Sequence, residues 1–227
     1  MNPPIIIKQE GNVLQEQEAA EGAIPPRNIM VAPQSNGAEP LAANLRLKRM
    51  TPYLEVPRGA SMKLYEGKEA RGKEWTAVPG LKGPSTVVFF RDPAAPKRDW
   101  GKVRFRAFRD DLSAFPKETI RFVNMTRADA VVRVGEKGKS VAVKAGQVKI
   151  LGKSDGFKVG GSTIVPIGVK LGNKWVKQSQ NGIDLYDNER VSVYFFENDV
   201  PNEKGVIKSK MHKVVLPEPA REPVIQP

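Results

Sequence analysis

Between Phe115 and Leu151 the chain offers four short apolar runs separated by turn residues, and nothing in the stretch repeats at a helical spacing. Ile120, Phe122 and Val123 form the first run, Val131, Val132 and Val134 the second, Val141 and Val143 the third, and Val148, Ile150 and Leu151 the fourth. Runs this short, bounded by turn residues and rich in β-branched side chains, predict successive antiparallel strands. A chain built around such a block is committed to sheets before any other feature is considered.

The pattern extends in both directions. Strands are expected at Tyr53 to Val56, Ser61 to Tyr65 and Thr86 to Arg91, the last bounded by Pro84 and Pro93 and read as the best buried strand of the first half. In Lys102 to Arg109, Val103, Phe105 and Ala107 alternate with Lys102, Arg104 and Arg106, which predicts one apolar and one basic face. Asp110 to Phe115 reads as a helical turn leading into Pro116. Downstream, Thr163 to Leu171 and Lys174 to Gln178 flank Gly172-Asn173, a two-residue hairpin signal. Pro166 argues for an edge or a bulge. Arg190 to Phe196 and Val206 to Leu216 complete ten to twelve strands, at spacings that suit a sandwich or a barrel. With no βαβ alternation, a parallel nucleotide-binding sheet is not expected.

Residues 1–50 hold six prolines and too little apolar matter for a core, and are read as an extended arm. A short helix over 12–21 is expected within it, capped by Asn12 and stopped by Gly22. The domain organisation read from sequence is therefore an arm over 1–50, a sandwich over 51–216 and a Pro-rich tail over 217–227.

Charge divides along the chain. The net charge is +12, yet residues 1–40 carry 2 basic against 5 acidic side chains, and residues 97–153 carry 15 against 6. A basic β-surface suits an acidic polymer, nucleic acid or acidic glycan, and the surface predicted to meet it is Lys102, Arg104, Arg106, Arg121 and Arg133. The same residues also fit ordinary solvated strand faces.

Chemical motifs are weak. There is no cysteine and one histidine, His212, which removes thiolate sites and the usual zinc sites. Gly138-Lys139-Ser140 ends like a phosphate loop, but Arg133 stands where its first glycine belongs and a strand follows, so a hairpin turn is expected. Asp184, Asp187 and Glu189 match no EF-hand spacing. Arg104-Phe105-Arg106 has the basic and aromatic mix of an RNA-binding strand, without the helices that would back one. No catalytic residue, metal ligand or cofactor is assigned, and the expectation is that the protein is not an enzyme. An unfamiliar enzyme using Asp110, Asp111 or Asp184 would need those carboxylates gathered in a pocket.

No run approaches 18 consecutive apolar residues, the length of a membrane-spanning helix. Residues 2–7 lack the basic and long apolar regions of a signal peptide. Either the protein stays in the cytoplasm, or Met1 begins an already processed form.

Phe115-Pro116-x-x-Thr119-Ile120-Arg121-Phe122-Val123-Asn124-Met125-Thr126, with the Val131 to Val134 strand and Val141-Ala142-Val143-Lys144-Ala145-Gly146-Gln147, resembles secreted bacterial immunoglobulin-like β-sandwich proteins, some associated with type IV pilus-type systems. The resemblance covers residues 53–151. It implies an all-β, antiparallel immunoglobulin-like sandwich, exported to the periplasm or cell surface. It further implies a non-enzymatic role in assembling a surface or pilus-like structure with other protein subunits. Self-association as a small homo-oligomer through the N-terminal arm would fit that role. The alternative is a binding module for an anionic ligand.

Overall fold

The computed structural model describes residues 5–10, 13–18, 24–45, 51–69, 72–92, 100–135, 138–171, 174–196 and 212–219. The chain is all-β and divides into two compact units, Met1–Phe108 and Arg109–Pro227. The division falls inside the region read from sequence as one sandwich domain over 51–216.

The first unit opens with β1 (Ile5–Glu10) and β2 (Val13–Glu18), an antiparallel pair in register from Ile5 opposite Glu18 to Glu10 opposite Val13. This overturns the helix expected over 12–21, whose capping residues Asn12 and Gly22 lie outside the described residues. A helix of that length is marginal by itself in water, whereas the β-branched run Ile5-Ile6-Ile7 offers a strand to pair with.

The supposed arm also supplies β3 (Asn28–Pro33) and β4 (Leu41–Asn44), which join β5 (Met62–Glu66) and β6 (Glu74–Val78) in a sheet of order β4-β3-β5-β6. Strand β3 alternates cleanly, with Ile29 and Val31 inward. A two-stranded sheet of β7 (Ser85–Arg91) and β8 (Val103–Arg109) completes the unit. Ile29, Val31, Met62, Leu64, Trp75 and Val78 form the core, and Val87, Phe89, Val103 and Phe105 pack against it. Trp75 sets its indole N–H on the Trp100 carbonyl at 2.8 Å and its ring 5.1 Å from that of Phe89. Two expectations fail here. Tyr53 to Val56 is not a strand, although Leu54 and Val56 still pack on the core. Within β7 only Thr86 is buried; Val87 and Phe89 pack on the core but are covered only in part, as a sheet of two strands gives little lateral cover.

Among the described residues the second unit holds eight strands in two sheets. β9 (Thr119–Asn124), β12 (Val148–Gly152), β15 (Glu189–Phe196) and β16 (His212–Pro219) form one, in order β12-β9-β15-β16. β10 (Ala130–Arg133), β11 (Ser140–Val143), β13 (Gly161–Leu171) and β14 (Lys174–Leu185) form the other, in order β11-β10-β13-β14. Ile120, Phe122, Val132, Val143, Leu151, Val165, Ile167, Ile183, Leu185, Val191, Val193 and Phe195, drawn from both sheets, make one shared core, the arrangement of a sandwich.

Among the described residues of this unit, pairing is antiparallel except between β9 and β15, which run parallel in the middle of their sheet. Both begin just after a residue in the left-handed region, Glu118 at φ 57° and Asn188 at φ 64°. The β10–β11 connection is the hairpin expected from Gly135 to Ser140: Gly135 sits at φ 75°, and a Cβ at Gly138 would lie 1.6 Å from the Val134 carbonyl oxygen. Glu136 and Lys137 lie outside the described residues. Strands β13 and β14 pair up to Leu171 opposite Lys174, leaving a two-residue connection whose Gly172 and Asn173 are likewise outside. Pro166 is on an inner strand, one residue before a bulge at Ile167 and Gly168 and just past the end of the β10 pairing, where no partner needs its missing N–H. Pro217 and Pro219, read as tail, belong to β16; that strand ends the sheet order, and a sheet's edge is where proline is tolerated.

Candidate functional site

The five basic residues assigned from sequence to one surface are not equivalent. Lys102, Arg104 and Arg106 belong to the first unit, Arg121 and Arg133 to the second. Lys102 is exposed, Arg104 forms an ion pair with Asp92 at 3.0 Å, and Arg106 is half-buried with its guanidinium 5.6 Å from the Phe108 ring centroid. Arg133 is exposed at the end of β10.

Arg121 corrects the reading of the central arginines as solvent-facing: it is 2% exposed. Within β9 only Thr119 is not buried, so the strand is covered on both faces. Ile120 and Phe122 point into the sandwich core, and Arg121 points the other way, beneath the segment 110–116. Its Nη1 meets the Asp110 carboxylate at 2.6 Å and the Arg109 carbonyl at 3.2 Å, and its Nε donates to Ser192 Oγ at 3.0 Å on the neighbouring strand. Arg190 on β15, 1% exposed, donates from Nη1 to the carbonyls of Asp110 at 2.6 Å and Phe115 at 3.2 Å. The buried Phe115 ring lies 4.3 Å from the Arg121 guanidinium and 4.9 Å from that of Arg190. Two arginines thus reach from the sheet and hold a strap of chain against its outer face. The carboxylate of Asp110 thus serves Arg121 and its backbone carbonyl serves Arg190, whose Nε has no hydrogen-bond partner.

The helical turn expected at Asp110 to Phe115 is present, with the Phe115 N–H on the Asp111 carbonyl at 2.9 Å. Asp111 caps it, accepting from the Ser113 hydroxyl, from Arg109 Nε at 2.8 Å and from the Ala114 N–H at 3.1 Å. The Ser113 hydroxyl first, and then Arg109 and the Ala114 amide, hold the Asp111 carboxyl below its ordinary value of 3.8. A depressed pKa means that the carboxylate's contribution to this turn is present above the unfolded value and is lost as pH falls through the folded one. Carbon-detected NMR titration should place the Asp111 midpoint below 3.8, and Ser113→Ala should raise it; an unmoved midpoint in that variant contradicts this account.

These geometries bear on the carboxylates considered for catalysis. Asp110 is buried and bound to Arg121, Asp111 is engaged as a cap, and Asp184 is exposed on β14 opposite Ser162. Among the described residues no three His, Cys, Asp or Glu side chains gather to hold a metal ion, and no helix is long and apolar enough to cross a membrane. His212 is placed in β16 opposite Phe196.

Asn124, the Asn of the Asn-x-Thr pattern, has a defined task. It is fully buried at the end of β9, and its Nδ2 donates to the Ala128 and Val143 carbonyls, each at 2.8 Å. Its Oδ1 accepts from the Thr126 N–H at 3.0 Å and lies 2.7 Å from the Thr126 hydroxyl. Every hydrogen-bonding position of the amide is used, in fixing a turn and the strand that leaves it.

Compared with known proteins, the chain matches no family model and no curated sequence.

Proposed function

We propose that this is a non-enzymatic, exported β-sandwich protein that acts through binding, contributing to the assembly of a cell-surface or type IV pilus-like structure. The observation that carries the reading is the β1–β2 hairpin, a two-stranded sheet that pairs with no other strand among the described residues. An isolated two-stranded hairpin is at best marginally stable in water, so a partner surface is the natural source of its order. Its free edges offer backbone donors and acceptors of the kind used when one protein adds a strand to another's sheet. The segment is acidic in a chain of net charge +12, which favours contact with basic copies or neighbours.

Light scattering coupled to size exclusion, on the full chain and on a variant lacking residues 1–22, tests this. The full chain should form a small oligomer or retain a surface-appendage component in a pull-down, and the truncated chain should lose that behaviour. Monomers in both cases with nothing retained would overturn the reading.

A second reading, a module for anionic ligands, is favoured by the concentration of positive charge in residues 97–153. With Arg121 buried and Arg104 paired to Asp92, Arg133 is the starting point for it in the second unit.

A further inference from the structure

The edge of the sandwich next to Arg133 carries a charge pattern that neither core packing nor ion pairing uses. Strands β11 and β12 end their respective sheets, share one core, and are joined by only four residues, so both lie along the same side of the unit. From Lys137 to Lys153 the sequence has five lysines and no acidic residue. Lys139, Lys144, Lys149 and Lys153 are all exposed, as is Arg133, whose Cα pairs with that of Ser140 at the start of β11.

None of these five described cations forms an ion pair with a described residue. The two nearest described carboxylates in sequence are engaged with backbone: Asp129 accepts from the Ala145 N–H at 3.0 Å and Asp155 from the Gly152 N–H at 2.8 Å. Lysine on an edge strand also bars unwanted strand pairing. That purpose accounts for Lys149 alone, since Lys139, Lys144 and Lys153 stand just beyond the strand ends. At the rise of an extended strand, Lys139 and Lys144 are separated by about 17 Å and Lys149 and Lys153 by about 13 Å. The result is a row of positive charge strung along the edge, its members drawn from both faces of the strands. The row is held in shape by Asn124, which fixes the Val143 carbonyl through its side chain and the Gln147 carbonyl through its own N–H at 2.9 Å.

We infer that this edge binds a linear acidic polysaccharide. The inference rests on the second reading above, and on export for the class of polymer. Residues 133–153 contain no aromatic side chain on which a base could stack, as single-strand nucleic-acid platforms require. Four of the five exposed cations are lysines, compact point charges without a fixed fork, which suits anionic groups dispersed along a flexible chain more than bidentate recognition of a single group.

Heparin as a sulfated probe and a random-sequence DNA duplex, each titrated onto the full-length protein at about 50 and 200 mM salt, test the inference. Heparin should bind more tightly than DNA. The combined variant K139Q/K144Q/K149Q/K153Q should weaken heparin binding by about tenfold or more and flatten its salt dependence, since counterion release scales with the charges neutralised. A control variant, K170Q/K177Q, should bind as the parent does. All the substitutions are at exposed positions, so the thermal midpoint should hold. DNA binding as tight as heparin overturns the polysaccharide assignment, and unchanged heparin binding in the combined variant overturns the site. A parental oligomer that dissociates in the combined variant, without heparin binding in either, assigns the edge to the acidic N-terminal stretch of a second copy. Failure of the assembly reading would show instead as monomers that still bind heparin.

Discussion

Asp110→Ala is expected to destabilise the Arg109–Pro227 unit by roughly 3–5 kcal/mol, the usual cost of removing one partner of a buried ion pair. The reason is the imbalance around it. Arg121 and Arg190 are both fully buried; the Asp110 carboxylate pairs with Arg121, and the Asp110 backbone carbonyl accepts from Arg190. Without it two guanidinium groups remain in a water-poor layer beneath the 110–116 strap, with backbone carbonyls, the Ser192 hydroxyl and the Phe115 ring for company. A domain's whole stability is about 5–15 kcal/mol, so this loss would bring the unit near its unfolding threshold. Asp110→Asn should cost less, because an amide oxygen can still accept from Arg121. The double variant D110N/R121M should recover part of that loss, since replacing both members removes the Arg121 charge and leaves only Arg190, held by backbone carbonyls. Arg190→Met gives up two hydrogen bonds but also removes a buried cation with an unpartnered Nε, and its cost should be smaller than that of Asp110→Ala. Urea unfolding followed by hydrogen exchange of the β9 and β15 amides reports on this unit separately. A loss below about 1 kcal/mol for Asp110→Ala would show that the pair is not what holds the strap.

Why the strap escaped sequence reasoning is instructive about strands. Strict alternation assigns one face to the core and the other to water, and Arg121 between Ile120 and Phe122 fits that scheme as a surface residue. The contrary signal is Val123, of the same parity as Arg121, and on β15 Tyr194, of the same parity as Arg190 and Ser192. Both are buried. Apolar residues on both parities mean a strand covered on both sides, and then an arginine within it needs a buried partner. The sequence could suggest that a partner exists, but not that it is Asp110, because the pairing depends on how the 110–116 turn folds back over the sheet.

The sandwich core itself was legible, since Val191, Val193 and Phe195, and Ile120 with Phe122, show their common face through period-two spacing alone. Strand β3 shows the same spacing in Ile29 and Val31, but the prolines around it outweighed the pattern and hid half of the first unit's sheet. The parallel pairing of β9 with β15 was out of reach for a different reason. Strand periodicity carries no information on which distant strand lies alongside, and some sixty residues, holding β12 and all of the other sheet, separate these two. The basic region was likewise visible as a sum of charge but misplaced, because net charge per segment does not say which cations are consumed by packing and which remain at an edge.

Asn124→Ala should be the second costly change, by roughly 3–5 kcal/mol, because each buried polar group left unpaired costs about 1–3 kcal/mol and this one amide serves several. It would strip the Val143 and Ala128 carbonyls of a donor and the Thr126 N–H of its acceptor. The Thr126 hydroxyl would keep its alternative acceptor, the Ala128 carbonyl at 2.9 Å, and so blunt the loss. Because Val143 ends β11 and leads into the link to β12, loosening should be local before it is global: the Ala145 and Gln147 amides should exchange faster than those of β15. Asn124→Asp separates hydrogen bonding from packing, since it keeps the shape. At neutral pH it places a carboxylate against two carbonyl oxygens that expect donors, and burial among acceptors raises its pKa. Protonation restores one donor, so the penalty of Asn124→Asp should shrink as the pH falls through that raised value. A penalty that does not change with pH would mean that the amide fills space without holding the β11–β12 edge, and that the rigidity of the lysine row comes from elsewhere.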